Sequence, residues 1–221
     1  ARIPARVVAS TLFRVPEGVA PSAAALLDPL ASVLHGLGRL PDPAGRTVLV
    51  LGAGPIALLF THLLLRRGAS RVLVVDRNPA RLASHAALGA EAVPVSGGLA
   101  AAVAERTGGR GADLVVETTG ASEVAEEAVL LAARGGTVLL FAGLARDVRL
   151  SVAAHRIHYD EVSLVGTFHY TPADARAALD LLARGEVPAD RLVTSESPLE
   201  GFASVLERVA RGEEMKVAFR P

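Results

Sequence analysis

Gly52, Gly54 and Asp76 are the residues whose types and spacing point most directly to chemistry. The glycines stand in the run Val48-Leu-Val-Leu-Gly52-Ala-Gly54-Pro55-Ile56-Ala57, and Asp76 closes the next apolar run, Val72-Leu-Val-Val75, 24 positions after Gly52. An apolar strand, a glycine turn, a helical run and a distant acid in that order form the pattern of a dinucleotide-binding site. Each part has a physical task. Gly52 permits a sharp strand-to-helix turn, Gly54 lets backbone approach a pyrophosphate, and Ala57 allows close helix–strand packing. Phosphates would rest on free N–H groups at the helix start, where Pro55 and Ile56 stand. Asp76 is placed to accept hydrogen bonds from both adenosine ribose hydroxyls, and its charge opposes a 2′-phosphate, so NAD is expected rather than NADP. The plainer alternative is a glycine turn closing an ordinary βαβ unit, with Asp76 a solvated acid.

Other clusters are weaker. His155-Arg-Ile-His158 with Asp160 and Glu161 has a spacing that could share a metal on one helical face, but it falls in a connector with no further ligand pair, so a structural role is expected. An arginine beside Asp76, such as Arg77, reads as an ordinary solvated charge. Glu126-Glu127 reads as the wet face of an amphipathic helix rather than an acid/base pair. No Gly-x-Ser-x-Gly elbow follows a strand, which removes that route to nucleophilic catalysis.

The elements that must position these residues alternate strand and helix with short connections, the pattern of a parallel sheet with helices on both faces. Strands are expected at 48–51, 72–75, 92–95, 114–116, 137–141 and 162–165. Helices are expected at 56–67, from Asn78-Pro79 to Leu88, at 97–107, and from a Ser122 cap to Ala133, where Gly135-Gly136 would stop the last. The fold class is therefore α/β, a doubly wound parallel six-stranded sheet, with ligand loops beginning at Gly52, Asp76, Thr118, Ala142 and Gly166. The flanks differ. Residues 1–45 offer extended segments (Arg6–Val8, Phe13–Val15), a Pro-Glu-Gly turn and one or two helices through Ala23–Gly36. Residues 171–221 contain a strand-like Leu192-Val193, an amphipathic helix Leu199–Arg211 and a closing strand Met215–Phe219. The expected division is 1–45, 46–170 and 171–221, with neither flank able to close a core alone.

The 221 residues are 51% hydrophobic with zero formal net charge and no cysteine. Charges and turns interrupt every apolar run well short of the ~20 residues of a bilayer span, so no membrane is expected. No basic block invites nucleic acid, and disulfides and Cys-ligated zinc are excluded within the chain. No secretory signal is visible, and the cytoplasm is the expected compartment.

Taken together, Pro4-Ala-Arg6, Phe13-Arg-Val-Pro-Glu-Gly18, Asp28-Pro-Leu30, Ser32-Val-Leu-His35, Gly52-Ala-Gly-Pro-Ile56, Asp76-Arg77, Leu88-Gly-Ala90, Glu117-Thr-Thr-Gly120, Gly135-Gly-Thr-Val138, Gly166-Thr-Phe168 and Lys216-Val-Ala-Phe resemble the medium-chain zinc-dependent alcohol and polyol dehydrogenases, nearest the sorbitol and threonine dehydrogenase branch. The resemblance covers essentially the whole chain. It implies a Rossmann sheet with partial catalytic-domain flanks, and a GroES-like N-terminal domain, carrying zinc-ligand Cys and Gly-His-Glu motifs, that this chain lacks. It implies cofactor contacts from Thr118, Thr119, Gly120, Ala142, Gly143, Leu144, Thr167 and Phe168, and would set Arg77 and Arg81 beside the adenine ribose. The backbone of Gly166–Phe168 would hold the nicotinamide carboxamide, and His169 would lie nearer the substrate or a neighbouring subunit unless it is only a loop residue. Asp28 matches a family Glu at or near the catalytic zinc, yet a lone carboxylate cannot hold zinc without His and Cys partners. Its other reading is a cap on a helix beginning at Pro29.

The resemblance implies an oxidoreductase that passes hydride from a polyol or secondary alcohol to NAD, with zinc only if the missing N-terminal domain is present. One alternative is a catalytically silent NAD(H)-binding module, sensing or oligomerising. A zinc-free quinone or enoyl reductase using NADPH fits Asp76 and Asp28-Pro-Leu less well. An apolar edge at Val162–Phe168 predicts a homodimer or homotetramer.

Overall fold

Strand and helix periodicity govern the central segment. Val48–Leu51 and Val72–Val75 are near-continuous apolar runs, as a parallel strand buried on both faces requires. The computed structural model describes residues 3–95 and 98–220. In chain order the elements are α1 (Ala5–Thr11), α2 (Pro21–Ala24), α3 (Leu27–Leu37), β1 (Thr47–Leu51), α4 (Pro55–Arg66), β2 (Arg71–Asp76), α5 (Pro79–Ala86), β3 (Glu91–Pro94), α6 (Leu99–Thr107), β4 (Ala112–Glu117), α7 (Ser122–Leu131), β5 (Ala132–Leu140), α8 (Ala154–His158), β6 (Ser163–Gly166), α9 (Pro172–Ala183), α10 (Ala189–Leu192), β7 (Ser195–Pro198), α11 (Phe202–Ala210) and β8 (Val217–Arg220). The chain divides into two units, residues 36–168 and residues 1–35 with 169–221.

The central unit is a six-stranded parallel sheet in the order β3-β2-β1-β4-β5-β6. This is the doubly wound arrangement, whose order reverses between β1 and β4 and leaves a crevice at the carboxyl ends there. Leu49, Leu51, Leu73 and Val75 pack with Val103, Ala128 and Val129 of α6 and α7. The alternate residues Val48, Val50, Val72 and Val74 are equally buried on the opposite face. The flanking unit contains α1, α2, α9 and α10, the parallel pair β7–β8 and α11. No helix among the described residues is long and apolar enough to cross a membrane.

Several expectations need correction. Arg6–Val8 is helical rather than extended, because Pro4 stands at the N-cap of α1 and Thr11 Oγ1 ties the last turn by donating to the Val7 carbonyl at 2.7 Å. Ser122 does not cap α7; Ala121 is the N-cap, and the Ser122 hydroxyl bonds Glu123 instead. The same helix ends at Leu131, before the glycines, because Arg156 donates to the Val129 and Ala132 carbonyls. Gly135 (φ 70°) and Gly136 sit within β5, where the pairing with β4 shifts register. Leu192 closes α10 rather than forming a strand, with Asp190 favourably placed in that helix's first turn. The expected start of α6 at Gly97 lies outside the described residues.

Candidate functional site

The turn after β1 is built as its sequence requires. Gly52 has φ 96°, and a Cβ there would stand 2.9 Å from Thr118 Oγ1. Only glycine meets both demands. Gly54, the N-cap of α4, has nothing within 4 Å of its Cβ position, which leaves the helix start open. Pro55 at N1 forfeits an N–H that no helix bond uses. Pro55 and Ile56 are half-buried, while Ala57 is fully buried. Sequence and structure agree on this strand–turn–helix.

Asp76 ends β2 beside that turn. Its Oδ2 accepts the Ala53 N–H at 2.7 Å and its Oδ1 accepts the Asn78 N–H at 2.8 Å. Both oxygens are held by backbone, and each keeps a lone pair for a further donor. Asn78 caps α5 by accepting the Ala80 and Arg81 N–H groups. Arg77 is exposed, whereas Arg81 is half-buried with its Nε buried and without a hydrogen bond. A cleft of about 580 Å³ opens here, lined by Gly52, Asp76, Arg77, Thr119, Glu123 and Glu127 among others.

The loop after β4 is fastened from beneath. Thr118 Oγ1 donates to the Leu51 carbonyl at 2.7 Å, which ties this loop to the end of β1. Glu117 is 0% exposed; its Oε1 accepts from the Thr119 N–H, the Thr119 hydroxyl and the Gly120 N–H, while Oε2 has no partner. Sequence reading missed this buried clamp, for which an acid at the end of an apolar strand was the available signal. Gly120 (φ 72°) has the Gly143 carbonyl 3.2 Å from its Cβ position, so the loops at 118–120 and 142–144 meet. Ala142 and Leu144 are half-buried and Gly143 is exposed. After β6, Thr167 Oγ1 is buried with no hydrogen bond, and Phe168 is 82% exposed. His169 begins the flanking unit with φ 54°, a backbone conformation uncommon for a non-glycine residue.

Within the flanking unit, Asp28 lies in the first turn of α3, which begins at Leu27, so it does not cap a helix starting at Pro29. Its carboxylate bonds the Tyr170 hydroxyl and holds that phenol above its usual pKa. His35 Nδ1 lies 3.0 Å from Asp174, which also closes a capping box with Thr171 at the head of α9. Burial would raise the Asp174 pKa, but bonds from Thr171 and His35 hold it below the usual carboxylate range. No group of three or more His, Cys, Asp or Glu side chains converges among the described residues. His155 and His158 both pack on Tyr159.

The profile of the zinc-binding dehydrogenase family matches residues 55–184, more than half of the chain. The chain belongs to the zinc-binding dehydrogenase family. Among curated members it is 32% identical over 199 residues to a 2-dehydro-3-deoxy-L-galactonate 5-dehydrogenase of Pseudoalteromonas atlantica, covering 90% of this chain and 58% of that protein. Among solved structures, it resembles the 2R,3R-butanediol dehydrogenase of Bacillus subtilis with a TM-score of 0.84 at 27% identity, over 95% of this chain and 60% of that one. A zinc-binding dehydrogenase from Sinorhizobium meliloti bound to NADP superposes with a TM-score of 0.83 at 28% identity, over 95% of this chain and 62% of that one. The chain thus spans about three fifths of the length of such family members.

Proposed function

We propose that this chain is the NAD-binding part of an oxidoreductase that oxidises a polyol or other secondary alcohol. The observation that carries the reading is Asp76, fixed by the Ala53 and Asn78 amides at the tip of β2 beside the Gly52–Gly54 turn. A carboxylate anchored there receives the two adenosine ribose hydroxyls and repels a 2′-phosphate. The N-terminus of α4 offers its free N–H groups to the pyrophosphate. The 118–120 and 142–144 loops bound the nicotinamide half, and the unbonded Thr167 hydroxyl supplies a hydrogen-bonding group to the carboxamide next to Phe168. When bound, NAD supplies the hydride acceptor. The chain's own share is to bind and orient it; alcohol activation falls to zinc ligands outside the described residues.

Names of the relatives support the substrate class, since they act on sugar acids, alditols and diols. Residues 1–45 and 171–221 belong, on this reading, to a catalytic domain. Leu199, Phe202, Leu206 and Val209 recur at helical spacing and stay exposed, apolar surface that the rest of such a domain would cover. Among the described residues β6 pairs only with β5, and Leu164 on it is 37% exposed, so we assign its free edge to a homodimer or homotetramer contact. Melting curves test the cofactor. NADH at about 100 times its Kd raises the Tm by roughly 5–10 °C, and NADPH far less. Equal shifts with both cofactors would remove the role given to Asp76.

A further inference from the structure

His85 is 0% exposed in the last turn of α5, directly behind the glycine turn. Its Nδ1 lies 2.9 Å from the hydroxyl of Thr61, a residue of α4 that is itself fully buried. Its Nε2 is buried and closes no hydrogen bond of full geometry. The groups that bear on the ring besides Thr61 are the Ala53 backbone and the Asp76 carboxylate. Ala53 in turn donates its N–H to Asp76 at 2.7 Å.

A buried imidazole between apolar helices is costly unless its nitrogens find partners. Packing alone would be served better by an aliphatic residue of similar size, so the pair Thr61–His85 calls for a reason of its own. Tautomer logic supplies one. A neutral imidazole carries one donor and one acceptor. If the Thr61 hydroxyl donates to Nδ1, the proton sits on Nε2, which then points a donor toward the Ala53 carbonyl. Ala53 then has the Asp76 carboxylate on its N–H and the His85 ring acting on its backbone from the other side.

We propose that His85, locked by Thr61, is a positioning residue for the dinucleotide site: it sets the Ala53 peptide and, through it, the Asp76 carboxylate that receives the adenosine ribose. The role rests on the proposed NAD binding and deepens it. Burial keeps the ring neutral, with its pKa lowered to about 4, so no charge is added next to the phosphates under ordinary conditions.

Titration of the 221-residue chain with NADH and with ADP-ribose, which lacks the nicotinamide, tests the role. His85→Phe fills the same space without the nitrogens and is expected to weaken both ligands about tenfold, the scale of one hydrogen bond to a charged group. Thr61→Val, which frees the ring, is expected to weaken both in the same direction and serves if His85→Phe fails to fold. In an Asp76→Asn background the His85→Phe loss is expected to shrink below about twofold, because the two residues act on one peptide. Equal losses in the two Asp76 backgrounds, or wild-type affinity in folded His85→Phe, would overturn the positioning role while leaving NAD binding intact. Absence of NADH binding to the unaltered chain would instead remove the functional reading itself.

Discussion

Gly52 and Thr118 meet across the switch point of the sheet, with the Thr118 hydroxyl 2.9 Å from where a Gly52 Cβ would stand. Thr118 is held there by its bond to the Leu51 carbonyl, so it cannot yield without giving up that bond. The β1 turn and the β4 loop are thereby fitted to one another, and the crevice between them keeps its width because one residue has no side chain.

Gly52→Ala is therefore expected to destabilise the chain by about 1–3 kcal/mol, through the φ of 96° and the contact together. Urea denaturation reads this as a lower midpoint with an unchanged slope. A midpoint equal to that of the unaltered chain would show that the loop relaxes freely.

Asp76→Ala removes the carboxylate proposed to receive the ribose hydroxyls, together with the two backbone bonds that shape the turn. NADH affinity is expected to fall by roughly 1–3 kcal/mol. NADPH affinity should fall less or rise, since the charge opposing its phosphate is gone. Unchanged NADH binding would place the ribose elsewhere.

His85 links stability to pH. Its folded pKa of about 4 lies below the ordinary 6.5, first because burial opposes the charged ring. As pH falls through 6.5 the unfolded ring takes up a proton while the folded ring stays neutral. Stability is therefore fully present above pH 6.5 and declines between pH 6.5 and 4, by on the order of 3 kcal/mol from this group. His85→Phe should flatten that part of the profile of unfolding free energy against pH. An identical slope in the variant would show that the ring is solvated.

Arg156 closes the carboxyl end of α7 through Val129 and Ala132 and bonds Asp160, which also accepts Arg134 Nε at 2.7 Å. Both arginines hold the Asp160 carboxyl below the usual range. Arg156→Ala orphans two carbonyls and is expected to lower Tm by about 4 °C or more. A change within 1 °C, taken as roughly the scatter of a surface substitution, would mean that water replaces the guanidinium.

The strand–turn–helix around Gly52 and the acid at 76 were legible because each step depends on local geometry that few residue types satisfy. The helix start at Asn78-Pro79 was legible for the same reason. What escaped sequence reading depends on partners distant in the chain. His85 meets Thr61 only once α4 and α5 pack on the same strands, and Glu117 looks like an ordinary strand-end acid until the loop folds over it. The end of α7 was misread because a remote arginine, not the nearby glycines, completes it. β7 was missed because Ser195-Glu-Ser-Pro198 carries no apolar alternation.

The central claim is that this chain holds NAD through Asp76. Isothermal titration of the unaltered chain with NADH and with NADPH, at one ionic strength, tests it most directly. The account predicts one NADH site per chain, bound at least about tenfold more tightly than NADPH, a preference worth roughly 1.4 kcal/mol. Equal affinities, or no heat with either cofactor, would contradict it.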